Sequence, residues 1–190
     1  MNHNHGNNIE DFSIGPSSSS ILPTDSVSHS SWLDQNIFGI SSFDGYFRIY
    51  KVIMTLNNPY FDLLYEFKYK FPITHFTFIS KSSLVAIGSI DGKVILIDFN
   101  SQSNRTSQNF KIIDQLSSHI LKLFFVEEIN IIIAVNSENI CHAIDIQSMK
   151  KINQFKSYCD IMDCDLVFPY LVLALSTNQL EFVNVENLKR

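Results

Sequence analysis

One short motif recurs along this chain at near-constant spacing, and this constrains the fold more than composition does. Residues 42–51 read Ser-Phe-Asp-Gly-Tyr-Phe-Arg-Ile-Tyr-Lys, and residues 89–98 read Ser-Ile-Asp-Gly-Lys-Val-Ile-Leu-Ile-Asp. The same frame returns at residues 136–145 and again at residues 175–184. An Asp-Gly pair between apolar runs favours a tight turn that joins two strands. The chain is therefore predicted to repeat one β unit.

Each repeat contains further strand-like segments around this turn. An innermost strand is predicted from apolar residues at its first, fourth and sixth positions: Ile73, Phe76 and Phe78, then Ile120, Leu123 and Phe125, then Ile161, Cys164 and Leu166. In the first repeat, Val27 and Trp32 keep the pattern, whereas Ser30 interrupts it. A second strand is apolar almost throughout, as expected of a strand buried on both faces. These second strands are predicted at residues 37–41, 84–89, 131–136 and 171–175, and outer strands at 64–67, 110–113 and 151–155.

A period of roughly 40–47 residues built from four short strands is typical of WD-type β-propellers. The predicted fold is therefore all-β, a WD-repeat β-propeller with about four blades. The repeats are predicted at residues 26–67, 72–113, 119–155 and 158–188 of a partial propeller that spans residues 26–190. Residues 1–25 are polar and low in complexity, so we expect a mostly disordered tail. Within it, residues 8–14 are a candidate strand for closing the ring.

Composition limits the possible functions. The chain has 190 residues, 45% of them hydrophobic, and a net charge of −5, which gives no electrostatic basis for independent nucleic-acid binding. The N-terminus carries no signal segment, and the apolar runs are far too short for a membrane span, so no membrane insertion is expected. Three cysteines in or beside predicted strands suit a reducing compartment such as the cytosol or nucleus.

Four residues raise the question of a metal site: Cys141, His142, Cys159 and Cys164. The gap between Cys159 and Cys164 is longer than the usual two-residue zinc knuckle, and no second knuckle is present. Cys164 also fills an apolar position of the repeat. These cysteines are therefore interpreted as buried core residues, and no metal or cofactor is predicted.

Other polar residues also have structural interpretations. His29 and His75 occupy equivalent repeat positions, which suggests that they brace the inner strand against the Asp-Gly turn. The acidic residues Asp160, Asp163 and Asp165 are interpreted as a solvated rim rather than a cation site. No clustered channel-facing acids or repeated histidine sets suggest an enzyme, so a non-enzymatic protein is predicted. No catalytic residues are predicted, and no partner-binding residues are assigned.

Three stretches resemble one group of WD-repeat proteins. Residues 25–32 followed by 40–50 are similar to the first blade of the mRNA-export, nuclear-pore family of the RAE/Gle type. Residues 67–73 resemble that family's entry into blade two. Residues 162–169, with 173–175 and 185–187, resemble its fourth blade. The paralogous Bub-type spindle-checkpoint propeller shares much of this pattern, but the fourth-blade match favours the export factor.

The resemblance implies a non-enzymatic scaffold that helps mRNA leave the nucleus. Such a scaffold docks on a nucleoporin through a short Glu-containing motif and associates indirectly with RNA, while direct RNA binding is left open. Its expected location is the nucleus and the nuclear pore or envelope, with the cytoplasm as a second location. The alternatives are a spindle-assembly-checkpoint adaptor that binds a kinetochore protein, or an unrelated WD-repeat adaptor subunit. The family's partner-gripping basic residues cannot be matched to positions in this sequence.

The chain also departs from the family. Residues 135–138 read Val-Asn-Ser-Glu where the third blade of the family carries Gly-Ser-Trp-Asp. The family's propellers have seven blades, whereas this sequence supplies about four. Three expectations follow: a truncated gene product, a half-propeller that completes itself with another chain through its open blade faces, or a small closed ring.

Overall fold

The computed structural model describes residues 22–54, 60–100 and 110–189. These residues form fifteen strands and one short helix. The bounds are β1 Val27–Trp32, β2 Ile37–Ser42, β3 Tyr46–Ile53, β4 Tyr60–Lys68, β5 Ile73–Phe78, β6 Leu84–Ser89, β7 Lys93–Asp98, β8 Phe110–Gln115, β9 Ile120–Val126, β10 Ile131–Asn136, β11 Ile140–Asp145, β12 Lys150–Lys156, β13 Ile161–Val167, β14 Tyr170–Leu175, β15 Leu180–Asn184 and α1 Glu186–Lys189.

The strands form four antiparallel sheets in which each strand pairs with its successor along the chain. Blades 1, 2 and 3 contain β1–β4, β5–β8 and β9–β12, and blade 4 contains β13–β15. Strand β1 contacts β5, and β5 contacts β9, so the innermost strands of these successive blades lie side by side. The prediction of an all-β propeller with about four blades is confirmed.

The burial of the second strand in each blade follows from its neighbours. Every residue of β10 in blade 3 is buried because blades 2 and 4 cover its two faces. In β14 of blade 4, buried residues alternate with more exposed ones, which is the pattern of a strand covered on one face only. Sequence alone shows both strands as apolar runs, so this difference comes from the position of each blade in the arc.

Three buried clusters hold the blades together. The cluster between blades 1 and 2 includes Phe47 and Phe76, whose ring centroids are 4.9 Å apart. Ile120 lies in the cluster between blades 2 and 3. Ile133 and Leu173 lie in the cluster between blades 3 and 4. Within the described residues no buried cluster joins blade 4 to blade 1, so the blades form an arc with two terminal faces.

The repeated turn has the same backbone conformation in all four blades. Gly45, Gly92, Asn139 and Asn178 occupy its last position with φ values of 82°, 81°, 65° and 61°. Glycine adopts this left-handed conformation without a steric penalty, and asparagine tolerates it better than most residues. Blades 3 and 4 therefore form the same turn although they have no Asp-Gly pair at these positions.

The described strands match the predicted segments closely, and the outer strands β4, β8 and β12 are longer than predicted. The short helix α1 was not predicted. It begins where the Asn184 Oδ1 atom accepts a hydrogen bond of 2.9 Å from the Glu186 backbone N–H, and its Leu188 packs into the cluster between blades 3 and 4. The candidate closing strand at residues 8–14 lies outside the described residues.

Candidate functional site: the turn edge of the blades

One edge of the arc carries both the repeated turns and the connections between blades. The backbone N–H of Tyr69, in the connection from blade 1 to blade 2, donates a 2.8 Å hydrogen bond to the Gly45 carbonyl. Leu116 N–H donates the equivalent 2.8 Å bond to Gly92 one blade later. In blade 3, Ser157 N–H donates a 2.9 Å bond to the Asn139 carbonyl. These three bonds hold the β2–β3, β6–β7 and β10–β11 turns next to the loops that follow β4, β8 and β12. We call this side the turn edge.

Blades 1 and 2 place a mixed basic and aromatic surface on the turn edge. We call it the basic rim and define it by Tyr46, Lys68, Lys70, Phe71 and Lys93. The Lys68 ammonium lies 4.0 Å from the centroid of the Tyr46 ring, and the Lys70 ammonium lies 4.7 Å from that of Phe71. Both lysines and Phe71 are exposed. Cation–π contacts of this kind hold the long lysine side chains near the aromatic rings.

A buried network under Tyr46 supports the first part of this rim. The Arg48 side chain is 3% exposed and lies 4.1 Å from the Tyr46 ring centroid. Its Nε donates a 2.8 Å hydrogen bond to Glu66, and its Nη1 lies 3.3 Å from the Asp44 carboxylate. Lys68 Nζ donates to the Asp44 backbone carbonyl. The Asp44 turn, Arg48 and Lys68 therefore fix the orientation of Tyr46.

Asp44 is held ionised by this network. Partial burial works to raise the pKa of Asp44, but hydrogen bonds from the Ser42 hydroxyl and from the backbone N–H groups of Thr24 and Tyr46 outweigh it. Together with the charge of Arg48 they lower the pKa to about 2. The turn thus keeps its negative charge at neutral pH, and this charge compensates Arg48.

Blade 2 repeats the arrangement with different groups. The Asp91 carboxylate accepts a 3.1 Å hydrogen bond from the Tyr69 hydroxyl and lies 3.3 Å from the Lys93 ammonium. Burial opposes ionisation of Asp91, but hydrogen bonds from Ser89, Lys93 and Tyr69 leave its pKa below the usual value. Gln115 Nε2 donates a 2.8 Å bond to the Asp91 carbonyl, as Lys68 does to Asp44. The turn itself is therefore neutralised locally, while Lys68 and Lys70 remain exposed.

The turn edge of blades 3 and 4 is more acidic, although it also carries the exposed Lys156 at the register position of Lys68. Glu138 follows β10, and Asp160 and Asp163 lie in the connection to β13 and at its start. Asn139 Nδ2 donates a 2.8 Å hydrogen bond to Asp160, and Ser117 donates a 2.6 Å bond to Glu138. Of the three residues of the predicted acidic rim, Asp160 lies here, whereas Asp163 and Asp165 are exposed within strand β13 and Asp163 forms an ion pair with Lys122. The turn edge is therefore most basic around the exposed Lys68 and Lys70 and more acidic in blades 3 and 4.

The innermost strands carry a row of polar side chains at equivalent register positions. In each blade the residue next to a β-bulge faces the same position of the second strand; these residues are His29, His75, Lys122 and Asp163. The His29 and His75 rings stack with centroids 3.6 Å apart. Leu123 N–H donates a 3.2 Å hydrogen bond to His75 Nδ1. The two histidines therefore brace successive blades, and the expectation that they brace the Asp-Gly turns is wrong.

Both imidazoles favour the neutral form. Burial lowers the pKa of His75 to about 3, and the neighbouring charges of His29 and Lys122 act in the same direction. Burial also lowers the pKa of His29, as does the charge of Lys122. Neutral rings can stack closely without electrostatic repulsion, which accounts for the short centroid separation.

Two of the three cysteines are buried as predicted, whereas Cys159 is only partly buried at the edge of the same cluster. Cys141 and Cys164 are buried in the cluster between blades 3 and 4. Burial raises the pKa of each thiol to about 12, so neither is a thiolate at neutral pH. Among the residues that the structure describes, no three histidine, cysteine or acidic side chains come together in an arrangement able to hold a metal ion.

Three buried polar atoms in blades 2 and 3 were missed by sequence reasoning, because the residues that carry them have no periodic spacing. Asp114 Oδ2, Ser118 Oγ and His142 Nδ1 are buried, and none has a hydrogen-bond partner among the described residues. Burial and Lys151 lower the pKa of His142, while Asp114 and Glu138 oppose this shift. A catalytic triad requires a hydrogen bond from nucleophile to base. The described atoms form none.

Comparison with solved structures identifies the type of fold. The chain is similar to the computationally designed Ika4 protein, with a TM-score of 0.68 and 14% sequence identity over 90% of this chain and 96% of that one. It is also similar to the WD40 β-propeller domain of Doa1, with a TM-score of 0.66 and 10% identity over 85% of this chain and 52% of that one. It thus spans about half the length of the Doa1 chain.

No protein-family model and no curated protein matches the sequence. At these identities the structural similarity concerns the fold alone, and the fold is of the WD-repeat β-propeller type. No helix in the described ranges is long and apolar enough to cross a membrane.

Proposed function

We propose that this protein is a non-enzymatic WD-repeat scaffold that binds an acidic peptide segment of a partner protein at the basic rim. The observation that carries the proposal is the geometry of this rim: exposed Lys68 and Lys70 lie over the rings of Tyr46 and Phe71. Propellers present their turns and connecting loops to partners on a rigid framework. A function of this kind requires a surface rather than a catalytic group.

The chemistry of the rim favours a glutamate-containing peptide. A carboxylate gains charge-assisted hydrogen bonds from lysine ammonium groups, and the exposed face of Phe71 offers an apolar contact to a neighbouring side chain. The acidic edge of blades 3 and 4, with Glu138 and Asp160, repels the same peptide. The charge difference along the turn edge therefore favours one location for the peptide.

The finer proposal is that the partner is a nucleoporin and that the protein assists mRNA export. The resemblance of residues 25–32, 67–73 and 162–169 to the RAE/Gle family supports it. The protein then resides in the nucleus and at the nuclear envelope, and RNA associates through its partners. The identity of the partner is proposed from the sequence resemblance, whereas the docking surface is proposed from the contacts of Lys68 and Lys70. The two are independent because the family's peptide-binding residues cannot be matched to positions in this sequence.

Calorimetric titration tests the proposal. The probe is a synthetic nucleoporin peptide that contains the short Glu motif, compared with a peptide in which Gln replaces each Glu. We expect the Glu peptide to bind and the Gln peptide to bind at least about tenfold more weakly, because a hydrogen bond to a charged group contributes roughly 1.5–3 kcal/mol.

The double variant Lys68→Ala/Lys70→Ala is expected to weaken binding of the Glu peptide roughly tenfold. The matched control is Lys150→Ala/Lys156→Ala, which removes two exposed lysines from β12 and leaves the rim unchanged. Equal affinity for both peptides, or equal loss of affinity in both double variants, excludes the basic rim as the docking site. Parallel titration with a kinetochore-protein peptide separates the export role from the checkpoint alternative.

A further inference from the structure

Blade 4 exposes a continuous apolar face on the side away from blade 3. We call it the leading face of blade 4 and define it by Tyr170, Val172, Ala174, Leu180 and Phe182. Register places these residues on one side of the sheet, since Val172 pairs with Phe182 and Ala174 with Leu180. Leu180 is 62% exposed and Phe182 is 61% exposed. Such a cluster of exposed apolar side chains marks an interaction surface.

The equivalent face is buried in the other three blades. In blade 2, Val94 and Leu96 hold the register positions of Leu180 and Phe182; they are 0% and 6% exposed and lie in the cluster with blade 3. In blade 3, the equivalent residues, Cys141 and Ala143, are fully buried against blade 4. In blade 1, Ile49 and Phe47 are buried against blade 2. The leading face of a blade is therefore built to receive another blade.

Blade 1 exposes the kind of face against which the leading face of another blade packs. The side of blade 2 that receives blade 1 includes Phe76 and Val85, both buried. By register, the corresponding residues of blade 1 are Ser30 and Phe38. We call this side the trailing face of blade 1. Its Trp32 is 62% exposed.

The trailing face also has an unfilled concavity. A cavity of about 250 Å³ is lined by Ser30, Ser31, Trp32, Phe38 and Phe61. At the position of Ser30, blade 2 has the bulky Phe76, so the small side chain in blade 1 leaves space for an incoming group. Aromatic side chains of a docking blade, such as Phe182 and Tyr170, suit a concavity lined by Trp32 and Phe38.

We propose that two copies of this chain close one ring, with the leading face of blade 4 in each copy packed against the trailing face of blade 1 in the other. All three interfaces inside the chain join a leading face to a trailing face, and the described arc leaves one of each. A two-fold axis through the centre of the ring, perpendicular to its plane, forms both of the contacts between the two copies at once. Neither copy then has an open face. The arc matches about half of the Doa1 chain, which agrees with a half-ring in each copy.

Light scattering during size-exclusion chromatography tests this assembly. The wild-type chain is expected to elute with twice its mass of 21.8 kDa. The double variant Leu180→Asp/Phe182→Asp is expected to elute as a monomer. Its matched control, Ile112→Asp/Ile152→Asp, changes two exposed apolar residues on the outer strands of blades 2 and 3 and is expected to remain a dimer. A wild-type monomer over the whole concentration range, or larger open oligomers, overturns the proposal.

Crosslinking identifies the contact without relying on a destabilising charge. In a Cys159→Ser background, one preparation carries Trp32→Cys and another carries Phe182→Cys. The probe is a short bis-maleimide, and circular dichroism verifies that both variants are folded. We expect covalent dimers when the two preparations are mixed and allowed to exchange, and none when either is treated alone. Efficient crosslinking of Phe182→Cys alone means that two blade 4 faces pack on each other, and this overturns the head-to-tail ring.

Discussion

The imidazole rings of His29 and His75 stack across the junction of blades 1 and 2, with centroids 3.6 Å apart. His75 is in turn linked to blade 3, because its Nδ1 accepts a hydrogen bond from Leu123 N–H. A single histidine thus contacts both neighbouring blades. The next equivalent residues, Lys122 and Asp163, form an ion pair, so polar contacts connect the innermost strands of all four blades.

The buried His75 predicts a specific dependence of stability on pH. Its pKa in the folded state is about 3, well below the ordinary value of 6.5. Between these two values the unfolded chain binds a proton that the folded chain does not, so acidification favours unfolding. The free energy of unfolding is therefore expected to fall by about 1–2 kcal/mol between pH 7 and pH 5 through this residue.

Urea unfolding at these two pH values checks the effect. His75→Gln is expected to reduce the loss of stability at pH 5, since glutamine can still accept the Leu123 hydrogen bond and does not titrate. His119→Gln, at an exposed position, is the control and is expected to retain the full loss. If the two variants show the same pH dependence, His75 is not responsible for it.

The turn glycine of blade 2 is expected to tolerate no side chain. Gly92 has a φ of 81°, and a Cβ atom there would come within 2.5 Å of the Leu116 carbonyl oxygen. Gly92→Ala is therefore expected to destabilise the fold by about 1–3 kcal/mol, as measured by urea unfolding. Asn178→Gly, at the equivalent turn of blade 4, is expected to change stability by less than about 0.5 kcal/mol. Equal effects of the two substitutions contradict the role assigned to the left-handed turn position.

The three cysteines are expected to differ in reactivity. Cys141 and Cys164 are buried with thiol pKa values raised to about 12, whereas Cys159 is only partly buried. Since the thiolate is the reactive form, a maleimide reagent at pH 7 is expected to modify Cys159 first and the other two only after denaturation. Mass spectrometry of the labelled peptides measures this order. Rapid labelling of Cys141 in the native protein contradicts the packing between blades 3 and 4.

Sequence periodicity predicted most of the fold because the turn and the alternation of apolar residues repeat in each blade. The innermost strands from Ile73, Ile120 and Ile161 were located from the spacing of three apolar residues, and the strand from Val27 from two of the three. Two features could not be found in this way. The helix α1 has four residues and occurs once, and strands β10 and β14 look alike in sequence although only β10 is covered on both faces.

The site was less predictable than the fold. Lys68 and Lys70 belong to an alternation of aromatic and basic residues that also suits an outer strand, so the sequence could not indicate that they lie over Tyr46 and Phe71. The ion pair of Lys122 with Asp163 joins residues 41 positions apart, and no local pattern predicts it. Equivalence of His29 and His75 was visible in the repeat, but their partners depend on how closely the blades approach.

Photo-crosslinking is the most direct test of the central claim, namely that an acidic peptide docks on the basic rim of blades 1 and 2. The probe is the Glu-containing nucleoporin peptide with a photoreactive residue next to its glutamate, and mass spectrometry locates the modified residues. Crosslinks are expected at Tyr46, Phe71 and their immediate neighbours, and excess unlabelled Glu peptide is expected to suppress them whereas the Gln peptide is not. Crosslinks confined to blades 3 and 4, or insensitive to both competitors, would contradict it.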